Sequence, residues 1–518
     1  MIARGLAGLL SIAMLLPAET RTVVPSDLRG VEGLVRAYDS ILEARFDQVD
    51  AELRRACPPA PAEACEVLAA TALWWRIQLD PESLALDSEF SNAADRAIGS
   101  TEAWVERDDQ SAEAWFYMGA AYAVRVQWRV LRDEKLSAAR DGKRILKALE
   151  QSLELDPGLD DAYFGMGMYK YYADVAPAAA RFLRVLLFLP GGDRKLGLEQ
   201  MLRTRSRGKL LQGEAEYQLH IIYLWYERQT KRALEILADL RQQYPGNPLF
   251  LSETARIQDE YLHDITASLA SWRALLAASR EQRSNAPLLG EVRARLAMAD
   301  LLTRLHQTDD SIEQLEAVIA SKPQVPHGSL PLAYLRLGEA HDRLGDRASA
   351  VQAYRHAQAL VPSPDVHQIR SLTSAKLRRP PDAKHAEAYR LSLAGWRQLE
   401  KNDVDGAAAS LERSLGLNGA DPVARYRMGR VLQAGKNDVA ALVQFEASIR
   451  AAKTCPAPIL GTAYMEAARL HERAGHRDQA TSYYRIASTL FGATSETHAA
   501  ASRALTRLKA ASARAPRH

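Results

Sequence analysis

The sequence has 518 residues, of which 67 are Lys or Arg and 64 are Asp or Glu, giving a formal charge of +3. A chain of this length exceeds what one compact core holds, so it forms several domains or one extended array. The nearly balanced charge disfavours a nucleic-acid-binding protein, because such proteins concentrate a large positive excess on one face.

The N-terminus has the pattern of a secretory signal peptide. Arg4 precedes an apolar run from Leu6 to Leu16, which ends in Pro17 and Ala18. The run is too short to span a bilayer comfortably, and an uncleaved anchor is the alternative. We therefore predict a signal peptide at residues 1–18 and an exported protein of the periplasm or cell envelope.

Residues 26–111 are predicted to form an N-terminal helical segment, which contains two of the three cysteines. Cys57 and Cys65 flank a proline-containing turn between two helical patterns. In an oxidising compartment they can form a disulfide, worth about 2.5 kcal/mol by the chain-entropy estimate. Two unpaired thiols at helix ends are the alternative.

Residues 112–213 show a divergent helical pattern. Residues 125–148 are predicted to be an insertion between two paired helices, and the apolar stretch Phe182–Leu189 is predicted to be an inserted helix. Asp193 follows a glycine pair and is predicted to cap the next helix.

A four-column pattern recurs in the last third of the chain, with a small residue, a small residue twelve positions on, a large residue four further on and a small residue three beyond. Small residues let two helices approach closely, and the large residue fills the space beside them. Gly345, Asn402 and Gly475 each lie where the turn between the two helices needs a left-handed residue. The four sets are Gly338, Ala350, Tyr354, Ala357; Gly395, Ala407, Leu411, Ser414; Gly429, Ala441, Phe445, Ser448; and Ala468, Ala480, Tyr484, Ala487.

These columns resemble the tetratricopeptide repeat, and the stretch LPLAYLRLGEAHDRLGDRASAVQAYRHAQALVP, which ends at Pro362, matches it nearly throughout. Weaker copies extend the resemblance upstream, and segment 112–250 is similar to a group of bacterial exported tetratricopeptide proteins of unassigned role. The resemblance implies an all-α superhelix, or solenoid, of antiparallel helix pairs. On this frame, the repeats occupy 214–362 and 388–493, a polar spacer occupies 363–387, and a capping helix with a basic tail occupies 494–518.

The resemblance also implies which side chains line the inner groove of the solenoid. Arginine forks suit carboxylates, so the predicted partners are other proteins that present acidic or C-terminal peptide segments. Ordinary solvated groove residues are the alternative reading of the same arginines. The N-terminal groove is apolar, and we expect the helix containing Phe182–Leu189 to cover it. The predicted C-terminal groove residues are Glu339, Asp342, Arg343, Tyr389, Trp396, Tyr426, Arg430, Arg469 and Arg473.

The motifs that carry catalysis are missing from the sequence. The run Gly429–Asn437 has five residues between its glycines where a phosphate-binding loop has four, and His471 and His476 miss the zincin spacing by one residue. Nucleophile-elbow, dinucleotide-glycine and paired CxxC motifs do not occur. We therefore predict a non-enzymatic protein-binding scaffold with no cofactor, metal or nucleic acid, and no expected membrane contact. The alternatives are a membrane-associated assembly factor of the cell envelope and, as the least favoured reading, an enzyme with an unrecognised active site.

Overall fold

A computed structural model of the chain describes residues 28–175 and 191–514, so the predicted signal peptide and the stretch Phe182–Leu189 lie outside the described residues. Every regular element in the described ranges is a helix, which confirms the all-α prediction. The first twelve helices are α1 Val31–Leu42, α2 Phe46–Ala56, α3 Ala62–Leu79, α4 Asp87–Arg107, α5 Ala112–Leu131, α6 Lys135–Leu155, α7 Ala162–Val175, α8 Arg194–Arg207, α9 Gln212–Trp225, α10 Thr230–Gln243, α11 Pro248–Glu260 and α12 Ile265–Arg280. The next twelve are α13 Pro287–Arg304, α14 Thr308–Ser321, α15 Ser329–Leu344, α16 Arg347–Ala359, α17 Ile369–Arg378, α18 Ala383–Glu400, α19 Val404–Leu417, α20 Pro422–Ala434, α21 Asp438–Arg450, α22 Ala457–Arg473, α23 Arg477–Thr489 and α24 Ser495–Arg514.

Consecutive helices pack in pairs, and the pairs stack into a solenoid. First helices of successive pairs also contact each other, as α13 does with α15 and α20 does with α22. The first helices therefore line the inner surface, as the tetratricopeptide frame predicts.

The small and large columns meet inside each pair, as predicted. A Cβ added to Gly338 would lie 2.5 Å from the Tyr354 ring, and one added to Gly429 would lie 2.6 Å from the Phe445 ring. These approaches require glycine, because a larger residue would overlap the ring opposite. The predicted turn residues are left-handed, with φ of 83° at Gly345, 64° at Asn402 and 80° at Gly475.

The predicted cap at Asp193 is confirmed, since its carboxylate accepts the Leu196 N–H at 2.9 Å. The predicted insertion at 125–148 is wrong, because these residues lengthen α5 and α6 to 20 and 21 residues without interrupting the pair. The added turns are held together by Arg125 of α5, which donates to the buried carboxylate of Asp141 on α6 at 2.8 Å. Charged residues that pair between two helices do not produce an apolar periodicity, so the sequence pattern did not indicate that α5 and α6 are longer than usual.

The predicted spacer at 363–387 contains helix α17. Its buried residues Ile369 and Thr373 face the α15–α16 pair. Arg347 at the start of α16 donates to the carbonyls of Lys376 and Leu377, both at 3.0 Å, and so binds the last turn of α17. The spacer is thus an integral helix of the solenoid.

In the N-terminal half, first helices meet across the interior of the superhelix. The Trp75 ring of α3 lies 4.9 Å from the Tyr217 ring of α9 and 6.2 Å from the Phe250 ring of α11. Tyr38 of α1 donates to Glu214 of α9 at 2.8 Å. One continuous apolar core therefore joins residues from Leu28 to Ile257 and also includes Leu289. Other buried residues of α11, α12 and α13 form a separate cluster, and the cores beyond them are likewise small clusters confined to neighbouring helices.

Cys57 and Cys65 form a disulfide across the turn between α2 and α3. It closes a short loop whose ends are eight residues apart in sequence.

Within residues 28–175 and 191–514, none of the helices combines the length and apolarity needed to cross a bilayer.

Candidate functional site

The inner surface of the C-terminal half has two cavities. The central cavity, of about 660 Å³, lies between α13, α15, α17 and α18. The C-terminal cavity, of about 750 Å³, lies between α20, α22, α23 and α24. Both volumes fall in the range of about 300–1,000 Å³ that is typical of binding pockets.

Four predicted groove residues line the central cavity, and each already has a partner within the chain. Glu339 forms an ion pair with Lys376 at 2.8 Å. Arg343 donates to the Thr303 carbonyl at 2.9 Å, and its guanidinium lies 5.7 Å from the centroid of the Tyr389 ring. The remaining groove residue here is Asp342, and together the four are Glu339, Asp342, Arg343 and Tyr389.

Asp342 forms hydrogen bonds within its helix pair, which its predicted role as a groove residue does not imply. Its buried carboxylate accepts from the Tyr354 hydroxyl at 2.9 Å and from Arg347 at 2.8 Å. Both donors belong to α16, the second helix of the same pair. The repeat pattern places Asp342 on the first helix of its pair, but it does not show that side chains of α16 donate hydrogen bonds to its carboxylate.

The central cavity has an excess of positive charge, with five basic and three acidic side chains in its wall. Among the described residues, Arg379 has no ion-pair partner. Burial and the nearby guanidinium groups of Arg427 and Arg343 lower the pKa of His306 to about 4, so this imidazole is neutral at pH 7. The charged side chains are Arg304, Arg336, Arg343, Lys376, Arg379, Glu339, Asp342 and Asp382.

The C-terminal cavity contains the predicted groove residues Arg469 and Arg473, both exposed. Arg469 pairs with the buried Glu466 of the preceding turn at 2.6 Å. Arg473 reaches Asp438 at 3.1 Å, and this pair is more than two-fifths exposed on both sides. These two arginines therefore remain accessible, although each has an acidic neighbour.

Two further arginines in this cavity belong to α24, which was predicted from the sequence only as a capping helix. Arg507 pairs with Glu472 at 2.7 Å, whereas Arg503 has no ion-pair partner among the described residues. Arg503 follows Arg469, and Arg507 follows Arg473, by the same 34 residues that separate two of the repeat sets. This spacing is the sequence signal that identifies them. The cavity wall has four arginines and two glutamates.

The other predicted groove residues, Trp396, Tyr426 and Arg430, lie between the two cavities without lining either one. Tyr426 is buried, its ring lies 6.3 Å from the Trp396 ring, and burial raises the pKa of its hydroxyl. Arg430 is half-buried and donates to the Tyr426 hydroxyl at 3.2 Å. The contact between the Trp396 and Tyr426 rings packs α18 against α20.

The motifs weighed in the sequence have structural roles. In the glycine run, α20 continues to Ala434, and Asn437 caps α21 by accepting the Ala440 N–H at 3.1 Å. The turn after α22 brings the Nδ1 atoms of His471 and His476 to 3.4 Å from each other, closer than their spacing on one helix would allow. Even so, the described residues contain no group of three His, Cys, Asp or Glu side chains able to hold a metal ion.

Comparison with known proteins identifies the repeat. Residues 332–363, which span α15 and α16, match the sequence model of the tetratricopeptide repeat. No curated protein matches the chain.

Solved structures similar to the chain include the following three. The first is a tetratricopeptide repeat protein from Parabacteroides merdae, at 14% identity and a TM-score of 0.25, which covers 57% of this chain and 98% of its own. The second is the TPR2AB domain of yeast Sti1 in its pHSP90 complex, at 12% identity and a TM-score of 0.21, which covers 50% of this chain and 96% of its own. The third is Cut9 in its hetero-tetramer with Hcn1, at 11% identity and a TM-score of 0.26, which covers 92% of this chain and 89% of its own.

Proposed function

Because this chain is a tetratricopeptide-repeat protein, we propose that it is a non-enzymatic scaffold that binds acidic segments of other proteins. The bound segment would lie along the inner surface of the C-terminal half. Scaffolds of this fold hold extended or helical peptides by side chains of their first helices.

The observation that carries the proposal is the set of arginines in the C-terminal cavity. Arg469 and Arg507 are paired with Glu466 and Glu472, and Arg473 forms an exposed pair with Asp438, so Arg503 and the weakly paired Arg473 are the arginines most available to a partner. A guanidinium offers a planar fork of donors that fits a carboxylate in two parallel hydrogen bonds. A peptide carboxylate bound there would also be attracted by the positive excess of the central cavity.

The first prediction for this function is that replacing Arg473 and Arg503 together by alanine weakens partner binding at least about tenfold. Each desolvated arginine–carboxylate pair contributes on the order of 2 kcal/mol, and solvent-exposed pairs contribute much less. A pull-down from the exported fraction with mass spectrometry would supply the partner, and fluorescence anisotropy with its acidic segment would measure affinity. Binding should also weaken with added salt.

The matched control replaces Arg450 and Arg485, two exposed arginines on the second helices α21 and α23, outside both cavities. This control variant should bind like the wild type. Equal affinity of the Arg473/Arg503 variant and the control, with both folded by circular dichroism, would show that the partner binds elsewhere.

We also propose that the chain is exported and cleaved after Ala18, an inference supported by the apolar N-terminal run and by the Cys57–Cys65 disulfide. Protein purified from the exported fraction should begin at Glu19. Alkylation without reduction should leave Cys57 and Cys65 unmodified, since oxidising compartments preserve such bonds. Recovery of protein with an intact Met1 and two alkylated thiols from the cytoplasm would contradict both statements.

A further inference from the structure

We propose that a third cavity, at the centre of the N-terminal half, binds an uncharged amphiphile: an apolar chain or ring system carrying a carbonyl or hydroxyl oxygen. This N-terminal cavity has a volume of about 340 Å³ and is lined by α1, α3, α5, α6, α7 and the segment that begins α9. It is separate from the arginine-lined surface and independent of the function proposed for it.

The cavity exists because small residues line it where large ones would fill it. Ala120 and Ala123 of α5 and Gly142 of α6 line it, whereas a Cβ added to Gly119 or Gly165 would lie 3.1 or 2.6 Å from Leu149, so these two glycines serve helix packing. A Cβ added to Gly142 would meet no heavy atom within 4 Å, so the wall is open at this point. Glycine inside a helix costs roughly 0.5–1 kcal/mol relative to alanine, so the open space at Gly142 comes at a cost in stability.

Apolar walls and the volume define the size and character of the occupant. Val67, Leu68, Phe116, Ile145 and Met168 are among the apolar side chains of the remaining wall. An apolar cavity of roughly 150 Å³ stays dry and takes up an aromatic ring, and this one has about twice that volume. A single molecule of small-lipid size fits such a space.

Two hydrogen-bond donors in the wall indicate what the occupant's polar end must offer. The Tyr117 hydroxyl and Trp74 Nε1 have no hydrogen-bond partner among the described residues, and both side chains are at least nine-tenths buried. A buried donor without an acceptor costs about 1–3 kcal/mol. A ligand oxygen that accepts from either group would recover that cost.

The polar groups of the wall disfavour an anionic ligand, because the titratable ones among them are acids. Glu214 is buried and accepts from Tyr38 at 2.8 Å and from Trp75 at 3.1 Å, and burial raises its pKa. Asp161 accepts three backbone N–H groups, the shortest at 2.8 Å. Burial disfavours the charged form of an acid in these surroundings, and no Lys, Arg or His is among the described residues of the wall, so a free carboxylate or phosphate would lose its solvation without a compensating cation. The polar end of the ligand is therefore an ester, ketone or alcohol.

The test uses the full chain with N-phenyl-1-naphthylamine, an uncharged fluorophore that brightens in apolar sites. Wild type should bind the dye, monolaurin should displace it, and laurate, which has the same chain length with an anionic end, should displace it at least tenfold less well. Gly142→Leu fills the cavity and should weaken dye binding tenfold or more. The matched control is Gly99→Leu, an equally open glycine on α4 that faces away from the cavity, and its affinity should stay within twofold of wild type.

A second variant tests the polar contact without changing the volume. Tyr117→Phe should weaken monolaurin about fivefold, which corresponds to roughly 1 kcal/mol, and should leave dye affinity within twofold of wild type. If Gly142→Leu does not fold, Tyr117→Phe still tests whether the ligand binds in this cavity. Failure of the wild type to bind the dye, or unchanged binding by folded Gly142→Leu, would overturn the site. Equal displacement by laurate and monolaurin would overturn the assignment of an uncharged ligand.

Discussion

Replacing Asp342 by alanine should lower the free energy of unfolding by about 3 kcal/mol. The change removes a buried carboxylate that accepts from Tyr354 at 2.9 Å and from Arg347 at 2.8 Å. It leaves the Tyr354 hydroxyl buried without a partner and releases the guanidinium that holds the last turn of α17. Breaking a buried pair from one side typically costs 3–5 kcal/mol, and the lower end applies because Arg347 is partly solvated.

Urea denaturation would measure the loss, with Glu339→Ala as the control. Glu339 lines the same cavity, but its pair with Lys376 is about two-fifths exposed on both sides, so its removal should cost less than about 1 kcal/mol. A double-mutant cycle with Tyr354→Phe should show coupling of at least about 0.5 kcal/mol. Equal effects of the Asp342 and Glu339 variants would mean that Asp342 is a groove residue after all.

Gly197→Val should cost about 3 kcal/mol, at the upper end of overpacking effects. An added Cβ would lie 2.6 Å from the Gly167 carbonyl oxygen and 2.6 Å from the Tyr171 backbone nitrogen. Both obstacles are main-chain atoms of α7, so no side chain can rotate out of the way, and α8 must move off α7. Differential scanning calorimetry should therefore show a lower melting temperature.

Gly99→Val is the matched comparison, because it makes the same change inside α4 where an added Cβ meets nothing within 4 Å. Valine has a higher helix propensity than glycine, so this variant should be as stable as wild type or slightly more so. If both variants melt alike, the close approach of α7 and α8 is not a constraint on the fold.

The repeat architecture was predictable because its signal is local and periodic. Gly338 and Tyr354 lie sixteen residues apart and meet inside one helix pair, so a column pattern is enough to reveal them. Turn residues such as Gly345 follow from the same spacing. Helix α17 could not be predicted from the repeat pattern, because the surrounding sequence is polar, contains prolines and lacks the recurring spacing of small and large residues. In addition, Ile369 and Thr373 are its only buried residues.

The candidate site was predictable only in part, because a column assigns a residue to the inner helix without showing what reaches it from other helices. The Asp342 carboxylate accepts a hydrogen bond from α16, and the Glu339 carboxylate forms an ion pair with a lysine of α17. The N-terminal cavity was not predictable, since it depends on Tyr38 and Glu214 meeting 176 residues apart. Arg503 and Arg507 could have been predicted as cavity residues, because each lies 34 residues after a predicted groove arginine.

The continuous core of the N-terminal half and the separate clusters beyond it imply different cooperativity in the two halves. In the N-terminal half, contacts between distant helices must break together, so this half opens as one unit. In the C-terminal half, the apolar clusters are confined to neighbouring helices, and scattered contacts join distant ones, such as that from Arg427 to the His306 carbonyl and that between the Phe491 and His263 rings. This half should therefore open in smaller units, closer to a one-dimensional array. The cavity that carries Arg503 lies in this half. A partner captured there would clamp the half that opens in smaller units, and would leave the more cooperative half unaffected.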